Sequence, residues 1–169
     1  MIDRRGAWAR RLFRAPTRLY RWRLGWVLGH RFVLLEHYGR RTGRRYETVL
    51  EVVKWEPDGE VVVVSGWGRA ADWYRNVLAR PVVTVTLATR RFPATHRVLS
   101  PDEAARVLAD YEDRNRYLRP VINRVLSRLA GWRYDGSDQA RRRLTEQLPL
   151  VALRPTAVPT VPTDTHPHS

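Results

Sequence analysis

The chain has 169 residues, 43% of them hydrophobic and seven of them Trp, enough for one domain with a single core. It has no cysteine, which excludes disulfides, thiolate catalysis and cysteine-based metal sites and suits a reducing cytoplasm. No apolar run approaches the roughly 20 residues that span a bilayer, and the basic N-terminus lacks an apolar core with a cleavage site, so no signal peptide is expected.

The net charge is +14, and it is unevenly placed. Residues 1–46 carry thirteen Arg against Asp3 and Glu36, so the basicity belongs to one end of the molecule. Of 31 basic residues only Lys54 is not Arg. With abundant Ala, Val, Leu and Pro this points first to a GC-rich genome, so the Arg bias alone is no sign of nucleic-acid recognition.

In chain order, residues 3–28 read as two basic amphipathic helices. Trp8, Leu12 and Phe13 form one apolar stripe, and Leu19, Trp22, Trp26 and Val27 form another, with Pro16 between them and Gly29 as a stop. The period then changes. Phe32 to Leu35 read as a buried strand, residues 46–55 as a second and residues 60–65 as a third, with Pro57-Asp58-Gly59 as the hairpin turn. A short helix is expected at residues 70–79, a fourth strand at 82–87 after Pro81, and a fifth near 92–98. β-branched residues dominate these runs. Ser100-Pro101-Asp102-Glu103 is a capping box that starts a helix running to about residue 115. Helices at 120–129, stopped by Gly131, and at 138–147 follow, then a last strand at 150–153. Beyond Pro155 the chain is Pro, Thr and His without a core-forming pattern, so a disordered tail over 156–169 is expected. About six strands, mostly hairpin-connected, with interrupting helices, suggest an α+β domain built on a closed or half-closed barrel, which removes exposed Val-rich edges.

Two segments suit a ligand. Gly39-Arg40-Arg41-Thr42-Gly43-Arg44-Arg45 combines two glycines, a hydroxyl and four guanidinium forks, which fits either an anion nest or a solvated hairpin. It lacks the Lys-Ser/Thr ending of a nucleotide P-loop. Ser65-Gly66-Trp67-Gly68 leaves room for a flat ring, and Trp73 and Asn76 share one face of the helix that follows. The same pair reads equally as core and cap.

Taken in order, the strand, Gly-Arg-Arg-Thr-Gly, the hairpin ending Val-Val-Ser-Gly, then Asp-Trp-Tyr-Arg-Asn, Pro81 and a Val-rich strand resemble the deazaflavin-dependent nitroreductase family. That is the subgroup of the flavin/deazaflavin split-barrel oxidoreductases that uses coenzyme F-420. The resemblance covers about residues 30–155 and includes the closing Leu-Pro-Leu-Val-Ala-Leu-Arg-Pro. It implies a split β-barrel of the FMN-binding-like type; residues 1–29, which periodicity reads as basic amphipathic helices, lie outside it. It also implies hydride transfer from the reduced coenzyme to an organic acceptor such as a quinone, a nitro compound or an activated double bond.

The resemblance further implies that Arg40, Arg41, Thr42 and Gly43, helped by Arg45, hold the phosphodiester and acidic tail. Tyr46, Thr48, Val49 and Leu50 would lie beside the ring. Val63, Val64, Ser65, Gly66, Trp73 and Asn76 would hold the deazaflavin and its ribityl chain. Tyr46 and Gly66 depart from the basic residues that family members often carry there. Tyr111 and Tyr117 are the acceptor-pocket candidates. No catalytic His or carboxylate is called for, because the coenzyme carries the chemistry. His37 is read as structural, and His166 and His168 do not make a metal site. Residues 3–28 suit an anionic membrane surface, and split barrels commonly pair as homodimers. The alternatives are a barrel that holds FMN, or binds coenzyme or lipid without turnover, and a nucleic-acid-binding barrel.

Overall fold

The computed structural model of the chain describes residues 31–80 and 83–156. The helices expected at 3–28, the start of the fourth strand at Pro81 and Val82, and residues 157–169 of the tail lie outside them. The described chain runs β1 (Phe32–Tyr38), β2 (Arg45–Trp55), β3 (Val61–Val64), α1 (Asp72–Ala79), β4 (Val83–Leu87) and β5 (Arg90–Val98). It continues with α2 (Pro101–Arg114), α3 (Arg119–Ala130), α4 (Asp138–Gln147) and β6 (Leu150–Pro155).

Every pairing is antiparallel, and the strands close in the order β1-β2-β3-β6-β5-β4. This is the α+β split barrel that the strand pattern suggested, with an order that the pattern did not contain. The returning β6 is what closes it, pairing β3 on one side and β5 on the other.

Alternation sorts the side chains between the two faces of the wall. Val33, Leu35, Leu50, Val52, Val61 and Val63 point into one buried cluster, joined by Trp73, Tyr74 and Val77 of α1. The register of β2 against β3 shifts between Val52 and Lys54, a bulge of one residue that sets Lys54, next to the outward Val53, opposite the outward Val62. There Val53, Val62 and Ala152 pack beneath Ala104 and Val107 of α2.

Local chemistry sets the turns and caps. The Ser100 hydroxyl accepts from the Glu103 N–H, and Pro101 opens α2, as the capping box requires. Gly131 ends α3 at φ 80°, where a side chain would be strained.

The helical layer is locked by one buried ion pair. The Glu112 carboxylate accepts from Arg141 Nε and Nη2 at 3.1 and 2.7 Å and from the Tyr134 hydroxyl, joining α2, α4 and the link between them. Burial and the adjacent carboxylate push the Tyr134 phenol well above its ordinary range, so it stays a donor. Deleting one partner leaves a buried charge unpaired. Glu112→Ala should therefore cost about 3–5 kcal/mol, read as a fall in the urea midpoint with an unchanged m value.

Candidate functional site

The β1–β2 hairpin ends in the glycine-edged loop, and α1 packs beside it. Burial of Trp73, Tyr74 and Val77 in the barrel fixes the rotation of α1 and brings Asn76 against the loop. Asn76 Oδ1 accepts from the Arg40 backbone N–H at 3.1 Å and from Arg40 Nη1 at 3.0 Å. The same Nη1 lies 3.1 Å from Asp72 Oδ1, one helical turn earlier.

These bonds settle the proton positions further in. With Oδ1 facing two donors, Asn76 Nδ2 faces His37 Nδ1 at 3.2 Å and donates to it. His37 therefore carries its proton on Nε2, which donates to Thr48 Oγ1 at 3.2 Å. The Thr48 hydroxyl hydrogen is left to point elsewhere, and Thr48 lines the cleft. Burial of the His37 ring depresses its pKa to about 4, only partly opposed by Asp72, so it is neutral at pH 7. Sequence reading set His37 aside as structural. It is buried, but it orients two residues of the cleft, and its pairing with Tyr46 across the hairpin was the signal that required strand register.

Together these residues outline an open cleft of about 320 Å³, lined by the loop from Gly39 to Thr42, by Tyr46, Glu47 and Thr48, and by Asp72, Trp73 and Asn76. Tyr46 is half exposed and stacks on His37, with ring centroids 6.0 Å apart. A Cβ on Gly39 would come within 2.7 Å of Thr42 Oγ1 and 2.8 Å of the Tyr46 ring, so only glycine fits there. Gly43 sits at φ 65°.

Most of the loop's backbone N–H groups are already spent. Gly39 N–H bonds to Arg44 O and Gly43 N–H to Gly39 O, while Arg40 N–H is spent on Asn76 and Arg44 N–H on Thr42. An anion here would be met mainly by side chains. Arg41 is exposed and has no ion pair among the described residues.

Of the residues read from the sequence, the cleft thus gathers Arg40, Arg41, Thr42, Tyr46, Thr48, Trp73 and Asn76. Gly43 closes the loop through its bond to Gly39. Arg45 turns to the outer wall, where it pairs with Glu36 at 3.0 Å and Glu47 at 3.4 Å. Arg91 also clamps Glu36, and these guanidinium bonds hold its carboxyl below the ordinary range. Val49 packs with Leu34 outside, while Leu50 and Val63 fill the barrel. Val64 borders a separate apolar cavity. The Ser65 hydroxyl is buried on the Gly68 carbonyl, and Gly66 stands in open space. Tyr111 also lines that apolar cavity, and Tyr117 is exposed beside Arg116. Neither tyrosine reaches the cleft.

The family model for F-420H(2)-dependent quinone reductases matches residues 11–117, well over half of the chain. The chain belongs to this family. It is therefore an oxidoreductase, and its coenzyme is the deazaflavin F-420 in reduced form. No curated protein matches it. Among solved structures, a protein of unknown function from Agrobacterium tumefaciens superposes with a TM-score of 0.51 at 16% identity. That match covers 76% of this chain and 49% of the other, so the reductase spans about half of its length. The heme storage protein HutZ from Vibrio cholerae superposes at 0.52 with 14% identity, covering 84% and 90% of the two chains. An F-420H(2)-dependent reductase, FDR-A, matches with a TM-score of 0.44 at 20% identity over 75% and 96% of the chains. At these identities the first two likenesses speak for the shared barrel alone.

The His37 ring links the reductase's stability to acid. Its folded pKa of about 4 lies below the ordinary 6.5, so the unfolded chain binds the proton first as pH falls. The contribution is intact above about pH 6.5 and is lost on the way down to pH 4, an effect of about 3 kcal/mol. Urea titrations at pH 7 and pH 4 should show that loss, and His37→Gln should lose less by a similar amount. Equal losses in the two proteins would remove His37 from the account.

Proposed function

We propose that the cleft beside the β1–β2 loop holds the phosphodiester and acidic tail of reduced F-420, and that the acceptor is a quinone. The carrying observation is the Arg41 guanidinium, which lines the cleft without an ion pair among the described residues while Arg40 and Arg45 of the same loop are already committed. Phosphodiester and carboxylate groups are the acceptors that a guanidinium fork takes best. A Cβ on Gly39 would collide with Thr42 Oγ1 and the Tyr46 ring, so the glycine lets those two cleft side chains close against the loop backbone.

Each remaining residue has a defined part. Arg40 anchors the loop to α1 through Asp72 and Asn76 and stays behind the ligand as a fixed positive charge. Tyr46 offers a flat face backed by His37, and Thr48 offers a hydroxyl hydrogen that its bond to His37 leaves over. Bound there, the reduced deazaflavin supplies a two-electron hydride for the acceptor. The protein positions and shields that exchange, and a His37 that is neutral at pH 7 keeps the inner wall of the cleft free of competing charge. FMN, with one phosphate and no acidic tail, would leave Arg41 and Arg44 less occupied.

The quinone is preferred over a nitro compound or an activated double bond because it is the acceptor in the family's description. It also suits the basic amphipathic residues 3–28, which we read as resting on an anionic membrane surface where lipid-soluble quinones reside. Residues 30–155 are read as the coenzyme-binding domain.

Fluorescence titration tests the reading directly. F-420 should saturate the protein, FMN should bind more weakly, and Arg41→Ala should raise Kd about tenfold, one charge-assisted hydrogen bond being worth ~1.5 kcal/mol. Rising salt should weaken the wild type more than the variant. Equal affinity for FMN, or an unaffected Arg41→Ala, would reject the assignment. With coenzyme bound, menadione should reoxidise it faster than a nitroarene does.

A further inference from the structure

The outer wall of the barrel carries a second recess that the coenzyme cleft does not use. Beneath α3, Val53, Val64, Leu108, Leu126, Leu129 and Leu150 enclose an apolar cavity of about 200 Å³. No residue of α3 is buried, and Val121 and Val125 remain 60% and 48% exposed, so the helix leans over this space without filling it. At its mouth Arg31, Val53 and Tyr111 are shared with a polar cleft of about 330 Å³ that also takes in Lys54 and Arg114. The two compartments therefore adjoin, one apolar and one cationic.

The charges at the junction do not cancel. Arg31 lies 3.7 Å from Glu51, and Lys54 lies 2.7 Å from Glu56. Arg114 spends Nη2 on the Val53 carbonyl at 2.7 Å and has no carboxylate partner among the described residues. Tyr111 donates to Glu51 at 2.9 Å, which holds that carboxylate at the rim. Three cations thus face two engaged carboxylates, and one positive charge is left over beside an apolar chamber.

We propose that this recess binds a single-chain amphiphilic monoanion, a long-chain carboxylate, with its chain under α3 and its head at Arg114. The chamber offers a methylene chain an escape from water and nothing to hydrogen-bond with. The surplus of one charge matches a carboxylate better than a phosphate dianion, and the unspent edge of a guanidinium fits a carboxylate in its plane. The site stands apart from the coenzyme assignment. Glu51 and Val53 project from the face of β2 opposite to Tyr46 and Thr48, and no residue is shared between the two recesses.

Calorimetric titration of the full-length protein with laurate below its micelle concentration tests this. Saturable one-to-one binding is expected, with dodecanol at least about tenfold weaker for want of the charge. Arg114→Gln should weaken laurate about tenfold, and Ile122→Trp, which enlarges an α3 side chain lining the chamber, should abolish binding. Both variants should titrate F-420 as the wild type does, which also reports that they are folded. A p-benzoylphenylalanine replacing Val125 should cross-link to laurate on irradiation. Laurate binding that does not saturate, that survives Ile122→Trp in folded protein, or that dodecanol equals would overturn the proposal. So would cross-linking to another segment of the chain or to a second copy, which would name that occupant instead.

Discussion

Trp73, Tyr74 and Val77 belong to the same buried cluster as the inward residues of the strands, and their burial leaves α1 only one rotation. Everything polar about the coenzyme cleft follows from that rotation. Asn76 lies one turn from Trp73, so it is carried to the inner edge of the loop, while Asp72 is left outside, where the same arginine can reach both. Apolar burial is worth several kcal/mol here and the hydrogen bonds about one each. The packing therefore dictates, and the polar network adapts to it. The adaptation is complete, since no buried side-chain nitrogen or oxygen among the described residues lacks a partner.

β2 is the wall on which both recesses depend. Its even-numbered residues face inward, Tyr46 and Thr48 at the open end and Leu50 and Val52 in the core. Its odd-numbered residues Val49, Glu51 and Val53 face out. A strand of eleven residues can border two separate recesses only because alternation keeps them apart. The bulge after Val52 adds twist where the strand passes from the cleft to the helical layer, and Val53, outward by alternation, packs there under α2.

What the sequence could tell was set by how local the cause was. The capping box at Ser100, the stop at Gly131 and the turn at Gly59 are decided within four residues, and they stand where pattern reading put them. Arg45 also obeyed a local rule, pointing away from Tyr46 as an extended strand requires. Its carboxylate, Glu36, sits across the hairpin and could be found only from register. Strand order was illegible because β6 must cross the chain to lie between β3 and β5. His37 was undervalued for the same reason, as its partners come from β2 and from a helix 39 residues away in sequence. The resemblance set Val49, Leu50 and Val63 beside the ring; what it could not tell is that Val49 packs outward with Leu34 while Leu50 and Val63 pack inward.

The arginines show how a basic sequence becomes a selective site. A guanidinium that already holds a carboxylate gains little from a second anion, because the first pair must loosen while both groups are partly desolvated. Arg40 is held by Asp72 and Arg45 by Glu36 and Glu47. Between them Arg41 and Arg44 have no such partner among the described residues, and the Arg80 guanidinium lies alongside, 3.9 Å from where a Gly43 Cβ would be. The committed arginines keep the loop in one shape and the uncommitted ones keep it attractive. In the proposed assignment, affinity for an acidic tail rests on the few charges that the fold leaves unspent, and the net charge of the chain is a poor guide to it.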